Sequence, residues 1–122
     1  MKTGSCLCGA VTYQLSGQLR DVVTCHCIQC RKTSGHFVAA TAVLKDQLKL
    51  IRDAGLAWYQ SSDEAKRGFC KICGASLFWW PFNEEHVSVH AGTIDGDTGV
   101  TTERDIFTDT KGDYYDLPGE AR

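Results

Sequence analysis

The chain has 122 residues, 43% of them hydrophobic, and a net charge of −2, which reads as one soluble domain over residues 1–122 with a modest core. That charge gives no general attraction to nucleic acid, and no run approaches the roughly eighteen apolar residues of a membrane helix. Nucleic-acid and membrane partners are therefore not expected, and without an apolar run after a basic N-terminus to suggest a signal peptide the expected location is cytoplasmic.

In chain order the pattern predicts a mostly β fold. Cys6 and Cys8 come first, with Gly9 free to turn the backbone after them. Residues 10–15 then alternate Val11, Tyr13 and Leu15 against Thr12 and Gln14, the period of a half-buried strand. The segment Cys25-His-Cys-Ile-Gln-Cys30 follows, in which Cys25 and Cys27 share one side of an extended chain, His26 faces away and Cys30 returns after a tight turn. Strands are expected at 37–43, 48–51, 57–60, 76–80 and 86–90 from apolar runs, alternation and aromatic enrichment. Ser62 to Arg67 is the only stretch with helical character, and it is short. Of Trp79 and Trp80, one is expected in the core and the other against a pocket. Asp95 and Asp97, interleaved with glycine, read as turn residues.

The seven cysteines fall as two, three and two: Cys6 and Cys8; Cys25, Cys27 and Cys30; Cys70 and Cys73. An odd number without a signal peptide argues against a disulfide framework, and the short spacings would close loops too small to constrain an unfolded chain. A redox role for Cys70-Lys-Ile-Cys73 lacks the βαβ pattern that would surround it. Zinc explains the arithmetic. Cys6, Cys8, Cys70 and Cys73 complete a closed four-thiolate structural site that ties distant parts of the chain together. Cys25, Cys27 and Cys30 supply three ligands and leave a position for water or substrate. Two zinc ions per chain are expected, the second more labile.

A zinc ion on three thiolates bears a net negative charge and is a weaker Lewis acid than one on three histidines. Its soft character favours a thiol as fourth ligand, deprotonated yet nucleophilic. Addition of a thiol to an electrophile is the expected reaction, ahead of hydrolysis. His36, His86 or His90 could instead close the site as a fourth ligand, making both metals structural. The alternative function is then a zinc-scaffolded binding module without catalysis.

The runs Gly4–Gly9 (GSCLCG), Cys25–Arg31 (CHCIQCR), Arg67–Gly74 (RGFCKICG) and Ala91–Asp95 (AGTID) resemble the glutathione-dependent formaldehyde-activating enzyme family, which shares a domain with centromere protein V. The resemblance covers nearly the whole chain. It implies an Mss4-like β fold, a structural zinc on Cys6, Cys8, Cys70 and Cys73, and a labile zinc on Cys25, Cys27 and Cys30. It further implies a carbon–sulfur lyase whose partners are glutathione and formaldehyde, joined as S-hydroxymethylglutathione. Asp105 stands where a similar family segment commonly has histidine.

A carboxylate-bearing thiol approaching a negative centre needs positive charge nearby. Arg31 and Lys32, directly after the three ligands, are the expected substrate contacts, with Ser34 and the backbone at Gly35 as neutral donors. The second basic pair beside cysteines, Lys66-Arg67, reads as solvated surface.

Overall fold

The computed structural model describes residues 1–117; the last five residues of the expected 1–122 domain lie outside the described residues. Among the described residues, ten strands form two sheets. A three-stranded antiparallel sheet has the order β1 (Lys2–Ser5), β2 (Thr12–Leu15) and β5 (Leu48–Arg52). A seven-stranded sheet contains β3 (Val22–Cys25), β4 (Val38–Leu44), β6 (Leu56–Gln60), β7 (Ala65–Cys70), β8 (Ser76–Pro81), β9 (His86–His90) and β10 (Thr102–Ile106), in the order β10-β3-β4-β9-β8-β7-β6. Its pairs are antiparallel except β10 with β3, which run parallel. Among the described residues, no helix is long and apolar enough to cross a membrane.

The alternation at Val11, Tyr13 and Leu15 is what builds the core. All three are buried, and they pack with Val87 and Val89 of β9 and Leu77 and Phe78 of β8. The Tyr13 and Phe78 rings meet edge-on with centroids 5.3 Å apart, a favoured aromatic geometry. Leu77 and Phe78 are neighbours in sequence, yet both are buried. The register explains this: Gly68 pairs with Phe78 and Phe69 with Ser76, so β8 carries Leu77 as an extra residue and the pleat is reset there.

The mostly β reading holds, and the strands at 37–43, 48–51, 57–60, 76–80 and 86–90 all appear within a residue of their expected ends. The helical reading of Ser62 to Arg67 does not hold. Ser61 and Ser62 both donate backbone N–H bonds to Ala65 O, and Glu64 N donates to Ser62 Oγ. This is a turn joining β6 to β7, and Lys66 and Arg67 lie in the strand that follows it. The α-helix is instead α1 (Ile28–Ser34), where a tight turn was expected. Trp80 packs against the core and against Trp58, with the ring centroids 5.9 Å apart.

Candidate metal centres

The first cysteine group is built into the main core. Cys6 and Cys70 are buried in the cluster that holds Val11 and Leu77, while Cys8 is exposed and Cys73 partly so. The four Sγ atoms lie within 4.8 Å of one another, with Cys6–Cys8 at 3.8 Å and Cys8–Cys70 at 3.7 Å. A Zn–S distance of about 2.3 Å gives a tetrahedron with edges of about 3.8 Å, so this donor set fits zinc. Backbone N–H groups of Val11 and Cys73 point at Cys6 Sγ and Cys70 Sγ at 3.3 and 3.5 Å. Gly55 approaches so closely that an added Cβ would sit 2.7 Å from Ala10 Cβ and 3.1 Å from Cys70 Sγ. Only a residue without a side chain fits there.

The second group, Cys25, Cys27 and Cys30, has its three Sγ atoms equally within 4.8 Å of one another. Cys25 ends β3. Cys27 is the N-cap of α1, its Sγ accepting from Cys30 N at 3.4 Å, and Cys30 follows one turn into the helix. The helix therefore folds the third sulfur back onto the first two. Cys30 packs with Val38 and Ala40 in a small cluster separate from the main core. Cys25 is drawn down to about 6 by its contact with the Cys30 thiol, with help from the Arg67 guanidinium, while Cys30 is pushed up by Cys25. The sulfurs thus compete for negative charge, and a divalent cation among them relieves that competition.

Among the described residues, neither group includes a histidine nitrogen. His26 is fully buried, with Nε2 3.1 Å from Asp105 Oδ1 and Nδ1 2.7 Å from the Tyr115 hydroxyl. His36 lies against Phe37 and Tyr115, with ring centroids 4.5 and 4.2 Å away. His86 is exposed. His90 lines a cleft of about 290 Å³ together with Arg67, Thr33, Ser76, Phe69 and Phe78. Burial and the nearby Arg67 cation pull His90 down to about 4, so it is neutral at ordinary pH. The two phenylalanines wall this cleft, and neither Trp79 nor Trp80 lines it.

The four expected substrate contacts are placed as follows. Arg31 Nη1 donates to Thr110 O at 3.1 Å, and its buried Nε has no partner among the described residues. Lys32 is exposed on α1. Ser34 Oγ donates to Cys30 O at 2.7 Å and accepts from His36 N. Gly35 ends the helix with φ of 81°, its N–H closing onto Arg31 O and its carbonyl accepting from the Tyr114 hydroxyl. Such a left-handed cap is where glycine is favoured.

The guanidinium that reaches the sulfurs belongs to Arg67. Its Nη2 lies 3.9 Å from Cys30 Sγ, and Gln29 Oε1 accepts from both Nε and Nη2, at 3.2 and 3.0 Å. Arg67 is three residues from Cys70, a member of the other cysteine group, so β7 serves both centres. Sequence spacing links Arg67 to the wrong cluster, because its contacts with Gln29 and Cys30 of α1 are made between residues far apart in the chain.

The profile of the glutathione-dependent formaldehyde-activating enzyme family matches residues 1–110. A Schizosaccharomyces pombe protein named as an uncharacterized lyase is 30% identical over 120 residues, covering 97% of this chain and 86% of its own. The fold is similar to the crystal structure of a Rhodobacter sphaeroides protein, with a TM-score of 0.70 and 26% identity over 84% of this chain and 98% of that one. The chain belongs to the glutathione-dependent formaldehyde-activating enzyme family.

Proposed function

We propose that the protein is a zinc-dependent carbon–sulfur lyase that joins a small thiol such as glutathione to an aldehyde such as formaldehyde, or runs the reverse. Family membership and the lyase-named relative support an enzyme of the lyase kind. The observation that carries the finer reading is the three-sulfur group. Cys25, Cys27 and Cys30 converge, while His26, His36 and His90 have other surroundings. This supports a ligand set left incomplete for substrate, whereas Cys6, Cys8, Cys70 and Cys73 form a complete structural one.

Bound at the three sulfurs, zinc supplies a soft fourth position that acidifies an incoming thiol without destroying its nucleophilicity. The residues of the chain do the rest. Cys30 is held by the first turn of α1, and the Cys27 N-cap fixes where that turn begins. Buried His26, clamped between Asp105 and Tyr115, sets the path of the backbone between Cys25 and Cys27. Arg67 offsets the negative charge of the sulfurs from 3.9 Å away. In the reaction the sulfur lone pair forms a bond to the carbonyl carbon. The C=O π pair moves to oxygen, which takes up one proton as the thiol gives one up. The sum is addition of S–H across C=O.

The test follows formation of S-hydroxymethylglutathione by ¹³C NMR from labelled formaldehyde and glutathione. The zinc-loaded protein should accelerate it, and Cys27→Ser should return the rate to background. An X-ray absorption spectrum of the second centre that fits a protein histidine as fourth ligand, together with no acceleration, would support the non-catalytic binding module and refute the enzyme.

A further inference from the structure

We propose that Arg67 docks a carboxylate of the thiol substrate in the cleft beside the three-cysteine group, so that the enzyme selects thiols carrying a free carboxylate next to the thiol-bearing residue. This rests on the thiol-addition reading above and names the substrate class of that site.

The first support is position. Arg67 belongs to both places, since its Nη2 is 3.9 Å from Cys30 Sγ and the residue lines the 290 Å³ cleft. Thr33 of α1 lines the same cleft and donates to Cys30 O at 3.3 Å, so the helix that carries the sulfur also forms a wall.

The second support is charge. No carboxylate among the described residues is within ion-pair distance of Arg67, whose side-chain partners are the neutral Gln29 amide oxygen and the Cys30 sulfur. The lining contains no aspartate, glutamate or lysine, and His90 is neutral there. Among the described residues, Arg67 is therefore the one formal charge lining the cleft. Gln29 takes the Nε and Nη2 side of the fork, which leaves Nη1 for a ligand; a guanidinium offers five donors in fixed geometry. Arg31 has no such freedom on the Nη1 that Thr110 occupies.

The third support is size. A cleft of about 290 Å³ lies at the lower edge of small-molecule sites, which begin near roughly 300 Å³. It fits one arm of a peptide-sized thiol and leaves the thiol outside. A carboxylate about 3 Å from Nη1, which itself sits about 2.3 Å from Nη2, falls within about 9 Å of Cys30 Sγ, the span of roughly two to three extended residues. A carboxylate on the residue following the thiol-bearing one meets that reach.

The experiment titrates zinc-loaded wild type, Arg67→Gln and Arg67→Lys with S-methylglutathione and with its glycyl monoethyl ester. The methyl group blocks the thiol, so binding is read without reaction. Wild type should bind the free acid at least tenfold more tightly than the ester. Arg67→Gln should bind both as weakly as wild type binds the ester, with unchanged zinc content, and Arg67→Lys should keep part of the preference. Equal binding of acid and ester by wild type, absence of binding of both, or a preference that survives Arg67→Gln overturns the proposal. Condensation rates in the same preparations separate the two readings. Preference without condensation keeps the docking and removes the reaction; condensation indifferent to Arg67 keeps the reaction and removes the docking.

Discussion

Asp105 Oδ1 lies 3.1 Å from Nε2 of His26, a fully buried ring whose neighbours in sequence are two of the three clustered cysteines. The parallel pairing of β10 with β3 sets Asp105 beside Thr24 and Ile106 beside Cys25, and the Thr24 hydroxyl also bonds the carboxylate. With Asp105 accepting from Nε2–H, Nδ1 accepts from the Tyr115 hydroxyl at 2.7 Å. Asp105 thus acts through His26 as a positioning residue.

Asp105→Ala should destabilise the protein by about 1–3 kcal/mol in urea, the cost of leaving a buried polar group without its acceptor. Asp105→Asn keeps an oxygen at that position and should lose less. Zinc retention at Cys25, Cys27 and Cys30 should follow the same order under mild chelation. Equal stability of wild type and the alanine variant would show that the contact does not hold the loop.

The two cysteine groups should also respond differently to loss of a ligand. Cys70 lies in the main core with Val11 and Leu77, whereas Cys30 sits in a small separate cluster with Val38, Ala40 and its neighbouring cysteines. Metal bound at the first group would therefore be coupled to global folding and metal at the second to local order. Cys70→Ser should unfold the protein or lower its melting temperature severely. Cys27→Ser should leave it folded with roughly one zinc fewer, and chelator should strip the second group first. Melting curves with metal analysis decide this, and equal loss of fold in both variants would contradict it.

Local pattern made much of this legible. The period of two at Val11, Tyr13 and Leu15 located the core, and the spacing of the cysteines divided them into the groups the structure assembles. What the sequence hid depends on partners distant along the chain. Lys2–Ser5 and Val22–Cys25 are four-residue strands too short to show a period, and Thr102–Ile106 is a polar edge strand defined by its parallel neighbour. The sequence Ile28-Gln-Cys-Arg-Lys-Thr-Ser34 has no apolar stripe, and its helix rests on a cysteine N-cap and a glycine C-cap. Arg67 was hidden most completely, because adjacency favoured Arg31 and Lys32 while the contact of Arg67 with Cys30 joins residues far apart in the chain.

Gly55 is a sharper probe of the first centre than its ligands, since replacing it removes no sulfur. A methyl group there would press on Ala10 Cβ at 2.7 Å and Cys70 Sγ at 3.1 Å, and Gly55 O also accepts from Lys71 N at 2.8 Å. Gly55→Ala should cost about 1–3 kcal/mol as an overpacking substitution and raise the rate of metal loss from Cys6, Cys8, Cys70 and Cys73. A control at Gly92, where an added Cβ meets nothing within 4 Å, should change stability by less than about 0.5 kcal/mol.

His90 should give the protein a weak point in mild acid. Its pKa falls from 6.5 to about 4 on folding, first through burial and then through the Arg67 cation. Between those values the unfolded chain binds the proton and the folded one does not, so stability rises with pH across the window. The neutral ring is cost-free above 6.5; the penalty grows as pH falls below that and levels off near 4. At about 1.4 kcal/mol per pKa unit the loss is at most about 3.5 kcal/mol. Urea midpoints from pH 7 to 4 should therefore fall more steeply for wild type than for His90→Gln. Thiol protonation and metal release act on both proteins, so the difference between the two curves isolates His90, and parallel curves would refute the assignment. In Arg67→Gln the repulsion is gone, and an NMR titration should place His90 above about 4, with the sensitive window narrowed from below.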